Sequence, residues 1–153
     1  MTQPHQVAVL IPLAVAAMAV LCTISIHALA LGATVNFFRY ERKRGHAGAG
    51  FRIDLAIIVL VTAFAFIAHL IEIALWAKLL VICGEFQGFG IAFYHSAVNY
   101  TTLGYGDIVM TPSWRLLGPL EAAAGALMFG VSTAMIFAVI ARVVQAHFED
   151  LRS

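Results

Sequence analysis

The sequence predicts an all-α membrane protein, and three observations carry that prediction. Apolar residues make up 62% of the 153 and charged residues only 11%, too few charges to cover the surface of a soluble domain this size. Three apolar runs, residues 7–35, 53–82 and 114–144, each exceed the roughly 18 residues that read as a membrane span. Between the last two lies a shorter mixed segment, residues 88–112, which carries closely spaced glycines. Little is left outside a bilayer beyond a basic loop and short ends.

The first span belongs to an N-terminal segment, residues 1–37, expected to form a peripheral transmembrane helix. Its apolar run holds no Lys or Arg, so it is not a voltage sensor, which needs several arginines in the membrane field. Ala28-Leu29-Ala30 resembles a cleavage site. The run is nevertheless too long for a signal peptide and lacks a basic segment before it. His27 reads as packed or hydrogen-bonded rather than as a ligand. Cys22 and Cys83 show no metal-site spacing and read as small apolar fillers.

Residues 38–52 are expected to form a loop holding Arg39, Arg42, Lys43, Arg44 and Arg52. The positive-inside rule makes that loop cytoplasmic. The N-terminus is then outside, and the third span returns to a cytoplasmic tail, residues 147–153, with Arg142 and Arg152 on the same side. The cluster Arg39, Arg42, Lys43, Arg44 also suits anionic lipid headgroups. Within the loop, residues 44–50 read as a flexible linker.

The second span, residues 53–82, leads through a short turn into a predicted helix at residues 89–101. At about 1.5 Å per residue that helix is roughly 20 Å long, too short for a hydrocarbon core of about 30 Å. It reads as a helix dipping into the membrane from outside. The glycines after it cannot continue a helix. Non-helical backbone at membrane depth is tolerated where protein buries it or where it lines water. Span, half-helix, glycine-rich segment, span is the order of a pore loop.

The segment Thr101-Thr102-Leu103-Gly104-Tyr105-Gly106-Asp107 resembles the signature of potassium channel filters, usually written T-V-G-Y-G-D. The resemblance covers residues 53–146 and implies a span, pore helix, filter (residues 102–106) and inner helix (residues 114–145). It implies a homotetramer around a K+ path in a cell membrane, with one pore loop from each subunit. It also implies that Thr102, Leu103, Gly104, Tyr105 and Gly106 offer backbone carbonyls, and Thr102 its hydroxyl, in place of an ion's water shell. K+ is then the permeant ion, with no cofactor and no enzymatic step. Gly104 and Gly106 suit the alternating backbone, since glycine reaches positive φ at little steric cost. Leu103 and Tyr105 would point away from the path into surrounding protein. Asp107 would close the outer mouth and concentrate cations there.

The chain departs from the family pattern in places. Leu103 stands where valine is commoner, Val98 where many members carry a glutamate, and Tyr94-His95 where many carry paired tryptophans. Tyr94 is an aromatic donor that can reach Asp107. On the third span, Gly125 and Gly130 are candidates either for a gating hinge or for close helix packing. Phe129, Thr133, Phe137 and Ala141 follow at helical spacing and are the expected cavity lining.

Ionisable residues inside spans are expensive and mark functional or hydrogen-bonded sites. His69 and Glu72 are three apart on the second span, and Glu121 lies near the start of the third. They are expected to form one buried polar network, structural or proton-sensing. Lys78 would snorkel outward, and Trp76 and Trp114 suit an interfacial belt. The alternatives are a weakly selective cation channel, a carrier holding haem between His27 and His69, and a nonconducting membrane subunit. No segment suits a nucleotide- or calcium-binding domain.

Overall fold

A computed structural model describes residues 9–150, with side chains described through Ala146. The expectations for the extreme N-terminus, for Arg152 and for the side chains of the tail fall outside these residues. The backbone forms four helices: α1 (Leu10–Lys43), α2 (Phe51–Ile82), α3 (Phe89–Tyr100) and α4 (Leu117–Asp150). Three of them, α1, α2 and α4, are long and apolar enough to cross a membrane. There is no strand among the described residues.

Helix α1 runs further than its apolar stretch. Arg39, Arg42 and Lys43, expected in a loop, occupy its last turns. Arg, Lys and Glu are good helix formers, and cations at a helix C-terminus meet the negative end of its dipole. The helix stops at Gly45, where φ is +72°. Arg44 lies 4.3 Å over the Tyr40 ring. The linker is therefore only residues 44–50, and Arg52 already belongs to α2. Asp54, in the first turn of α2, accepts a hydrogen bond from the Gly48 N–H at 2.8 Å. The linker also touches the far end of α4: a Cβ at Gly48 would lie 3.0 Å from the Ala146 Cβ.

Helix α2 is the hub, packed on each of the other three, while α1 and α3 both also pack on α4. Ile73, Trp76, Leu80, Tyr100 and Leu117 are buried where these helices meet, with Ala16 and Ala19 of α1 beside them. Trp76 is thus not an interfacial anchor. It is 0% exposed, and its indole N–H donates to Thr23 Oγ1 at 3.1 Å. A buried indole needs such an acceptor, and α1 supplies it. A second cluster, Ile57, Val61, Val139 and Val143, joins α2 to α4 towards the linker end.

Helix α4 begins at Leu117 rather than at Trp114. Residues 111–116 instead form turns closed by Trp114 N–H to Thr111 O at 3.2 Å and Leu117 N–H to Trp114 O at 2.9 Å. Pro112 lacks the N–H that a helix interior would use.

Candidate functional site

The residues after α3 have a backbone unlike the rest of the chain. Their φ is +61° at Thr102, +58° at Gly104 and +73° at Gly106, and negative at Leu103 and Tyr105. The handedness therefore alternates residue by residue. Glycine takes the left-handed angle freely, but Thr102 is β-branched, and such a conformation costs on the order of 1–3 kcal/mol. Its surroundings hold it there. Thr102 N–H donates to Asn99 O at 2.8 Å, and the Leu103 and Gly104 N–H groups both reach Val98 O, at 2.9 and 3.2 Å. The last turn of α3 thus absorbs the donors of Thr102, Leu103 and Gly104. Among the described residues, no hydrogen bond ends on a carbonyl of residues 102–106.

The far end of the segment is tied down as firmly. Tyr94 donates its hydroxyl to Asp107 Oδ2 at 2.7 Å. His95 Nδ1–H donates to the Ile108 carbonyl at 3.1 Å, and Asn99 Nδ2 donates to His95 Nε2 at 2.7 Å, fixing the tautomer. The Glu85 carboxylate, within the α2–α3 turn, accepts from both the N–H and the hydroxyl of Thr111. Between these anchors the side chains are uncovered by their own chain: Leu103 is 54% and Tyr105 66% exposed. A cleft of about 360 Å³ lies alongside, lined by Thr102, Gly104 and Gly106 and by His95, Val98 and Asn99 of α3.

Behind α3 lies a second polar arrangement, and it is closed. His27 Nδ1 meets Glu72 Oε1 at 2.9 Å, and the Tyr100 hydroxyl donates to Glu72 Oε2. His69 Nδ1 meets that hydroxyl at 3.2 Å and its Nε2 meets Ser132 Oγ at 3.0 Å. Ser132 Oγ returns to His27 Nε2 at 3.1 Å. The result is a ring of five residues from all four helices, none more than 6% exposed. One proton per bond satisfies every member, as buried polar groups require.

A family model described as an ion channel matches residues 55–142, more than half of the chain. The chain belongs to this ion channel family. The matched stretch runs from α2 to α4 through α3 and the alternating loop, and leaves α1 outside. No curated protein and no solved structure matches the chain.

Within this channel the expected polar network divides. His69 and Glu72 join the ring, but Glu121 does not. The residue of α4 that reaches the ring is Ser132, eleven positions further on and about 16 Å along the helix at 1.5 Å per residue. Glu121 instead faces Ser96 and Asn99 of α3. Its two carboxyl oxygens and Ser96 Oγ have no hydrogen-bond partner among the described residues. Sequence reasoning also missed Tyr100 and Ser132, which carry no signal until the helices are packed. The haem alternative does not fit: the His27 and His69 ring centroids are 5.2 Å apart, and both rings bond one hydroxyl, leaving no slot for a macrocycle.

The two glycines of α4 differ as well. A Cβ at Gly125 would collide with the Tyr100 carbonyl oxygen, while one at Gly130 would meet nothing within 4 Å. Close packing therefore accounts for Gly125. Phe129 does not share the open face of the expected cavity residues. Its ring lies 4.4 Å from that of His69 and 5.6 Å from that of Tyr100. A spacing of four drifts about 40° per step around a helix of 3.6 residues per turn, which carries Phe129 inward. Thr133, Phe137 and Ala141 remain exposed on the single chain.

Proposed function

We propose that this channel passes K+ selectively and passively, through a filter of residues 102–106 contributed by each of four identical subunits around one axis. The observation that carries this reading is the alternating backbone with its unclaimed carbonyls. A dehydrated cation needs oxygen ligands, and a loop whose first three N–H groups are turned into α3 keeps its carbonyls free for an ion. The family signature quoted above stands on the same residues. Thr101 cannot compete for that role, because its hydroxyl donates to the Ala97 carbonyl at 2.7 Å.

The fourfold assembly follows from what one chain leaves undone. One loop gives one line of carbonyls, whereas coordination from all sides needs several, and closed cyclic symmetry supplies them. Leu103 and Tyr105, uncovered on one chain, find their cover on a neighbour. In this arrangement α3 dips in from the outer face and Asp107, held by Tyr94, stands at the mouth and concentrates cations. The exposed face of Thr133, Phe137 and Ala141 lines the inner cavity. The linker is cytoplasmic, and Arg39, Arg42, Lys43 and Arg44 meet anionic headgroups.

Bi-ionic recording from purified protein in bilayers tests the reading. With K+ and Na+ opposed, the current reverses close to the K+ equilibrium potential, and Thr102→Ala or Gly104→Ala removes the preference. Reversal near zero in the unaltered protein sinks potassium selectivity and leaves a general cation channel.

A further inference from the structure

We propose that the buried ring is also a binding site for a divalent transition-metal ion of the Zn2+ class, one per subunit. His27, His69, Glu72 and Tyr100 are its ligands and Ser132 is their positioning residue. The inference goes beyond the conduction reading and does not depend on which ion the channel passes.

Geometry makes the case. One donor atom from each of His27, His69 and Glu72 lies within 4.8 Å of the others. The atoms that face one another are the two Nδ1 atoms and the carboxylate oxygens: His27 Nδ1 to Glu72 at 2.9 Å and His69 Nδ1 to Glu72 at 3.4 Å. The Tyr100 oxygen stands 3.2 Å from His69 Nδ1. Ligands at the usual Zn–N and Zn–O distances in a tetrahedron sit about 3.3 Å apart. The three separations just given lie near that spacing, and along those edges an ion can take the place of the hydrogen bonds. Two imidazoles and two oxygens, with no thiolate, form a set that suits Zn2+ or Co2+.

The second contact of each imidazole decides the matter further. A metal-bound histidine needs an acceptor for its remaining N–H, which fixes the tautomer and the ring orientation. Here both Nε2 atoms lie against one oxygen, Ser132 Oγ, at 3.0 and 3.1 Å. That oxygen has two lone pairs and can accept from both at once.

Charge balances too. Five protons in the five bonds make the ring neutral overall. When a divalent ion binds, Glu72 ligates as carboxylate and Tyr100 as phenolate. Both histidines carry their proton on Nε2, and Ser132 keeps its own. Two protons leave to solvent, one divalent ion replaces them, and the site stays neutral. Uncompensated charge at this depth would be costly. No oxidation or reduction is involved. The ion would bond α1 and α2 to Tyr100, the residue two before the alternating loop, and so tie the peripheral helix to the conducting part.

The test uses the full-length purified channel, stripped with chelator and then equilibrated with Zn2+ or with Co2+ as a spectroscopic probe. The expected result is one tightly held ion per chain, with the intense visible bands of tetrahedral Co2+. His27→Gln and Glu72→Gln abolish binding. Ser132→Ala, which keeps every ligand, weakens it about 10- to 100-fold, as loss of an outer-shell partner does. His46→Gln, at the exposed His46–Glu41 contact, changes nothing. The proposal is overturned by no retained ion, by the weak spectrum of six-coordinate Co2+, or by unaltered binding in folded His27→Gln and Glu72→Gln protein. Potassium selectivity is read separately, so either conclusion can fail without the other.

Discussion

The alternating loop and the buried ring lie on opposite sides of α3, and they are finished to different degrees. In the ring every donor finds an acceptor within one chain, and α1, α2, α3 and α4 each contribute. In the loop the first three donors are absorbed by α3, but among the described residues the carbonyls meet no donor, and the side chains of Leu103 and Tyr105 are left exposed. The first arrangement stabilises a subunit. In the proposed tetramer, the second is completed by neighbouring subunits. The two meet at Tyr100, whose hydroxyl closes the ring and whose carbonyl packs against Gly125 two residues before Thr102.

If the ring belongs to the subunit, breaking it unfolds the subunit. Glu72→Ala removes the acceptor of both His27 and Tyr100 and leaves a hole among residues with almost no solvent access. The expected loss is about 3–5 kcal/mol, the range for breaking a buried pair by removing one partner. Thermal unfolding in detergent measures it, at protein concentrations low enough to separate subunit melting from dissociation. A melting temperature within a few degrees of the unaltered protein would show that the ring is decoration.

The loop predicts a smaller effect of a different kind. Tyr105→Ala removes a side chain that is 66% exposed on the single chain, so the isolated subunit should keep its stability. In the proposed tetramer that side chain is covered, and the change costs on the order of 2 kcal/mol per subunit. Crosslinking or native mass measurement should show dissociation shifted to higher protein concentration with helix content unchanged. Equal loss of subunit stability would mean that Tyr105 packs within its own chain.

How far was this division legible in the sequence? The spans were, because a long apolar run has few structural options, and so was the loop, because Gly104 and Gly106 sit at alternate positions after a helix too short to span. The pair His69 and Glu72 was visible as two polar residues on one helical face. Its partners were not, since Ser132 and Tyr100 meet it only through the angles at which α2, α3 and α4 pack. Grouping Glu121 with His69 and Glu72 in one network failed because what α4 offers at their level is set by packing. The reach of α1 through Arg39, Arg42 and Lys43 was hidden by reading charge as loop, although those residues form helix readily.

Glu121 sharpens the contrast from the other side. It is as buried as Glu72, at 0% exposed, yet its carboxyl oxygens lack partners among the described residues. Glu121→Gln keeps the shape, and among the described residues it removes no hydrogen bond of normal geometry. Its effect on subunit melting should therefore stay below about 1 kcal/mol, the size of one ordinary hydrogen bond. A loss comparable to that of Glu72→Ala would show that Glu121 has a strong partner in the assembled channel.

The smallest effect concerns the edge shared by both regions. Cys83 caps α2 just before Glu85, which holds Thr111 beyond the loop. Burial first, and the nearby Glu85 carboxylate second, push the Cys83 thiol above its ordinary value. The thiolate is the reactive form, so a raised value leaves less of it at neutral pH and moves the rise in alkylation rate to higher pH. Glu85→Gln removes the smaller of the two causes. It should quicken alkylation only modestly, by less than about tenfold, the change in thiolate that follows when a titration midpoint moves by one whole pH step. It also releases Thr111, so any larger gain in rate would come from new access to the thiol. The pH profile separates the two: a charge effect moves its midpoint, whereas loosened packing raises the rate at every pH.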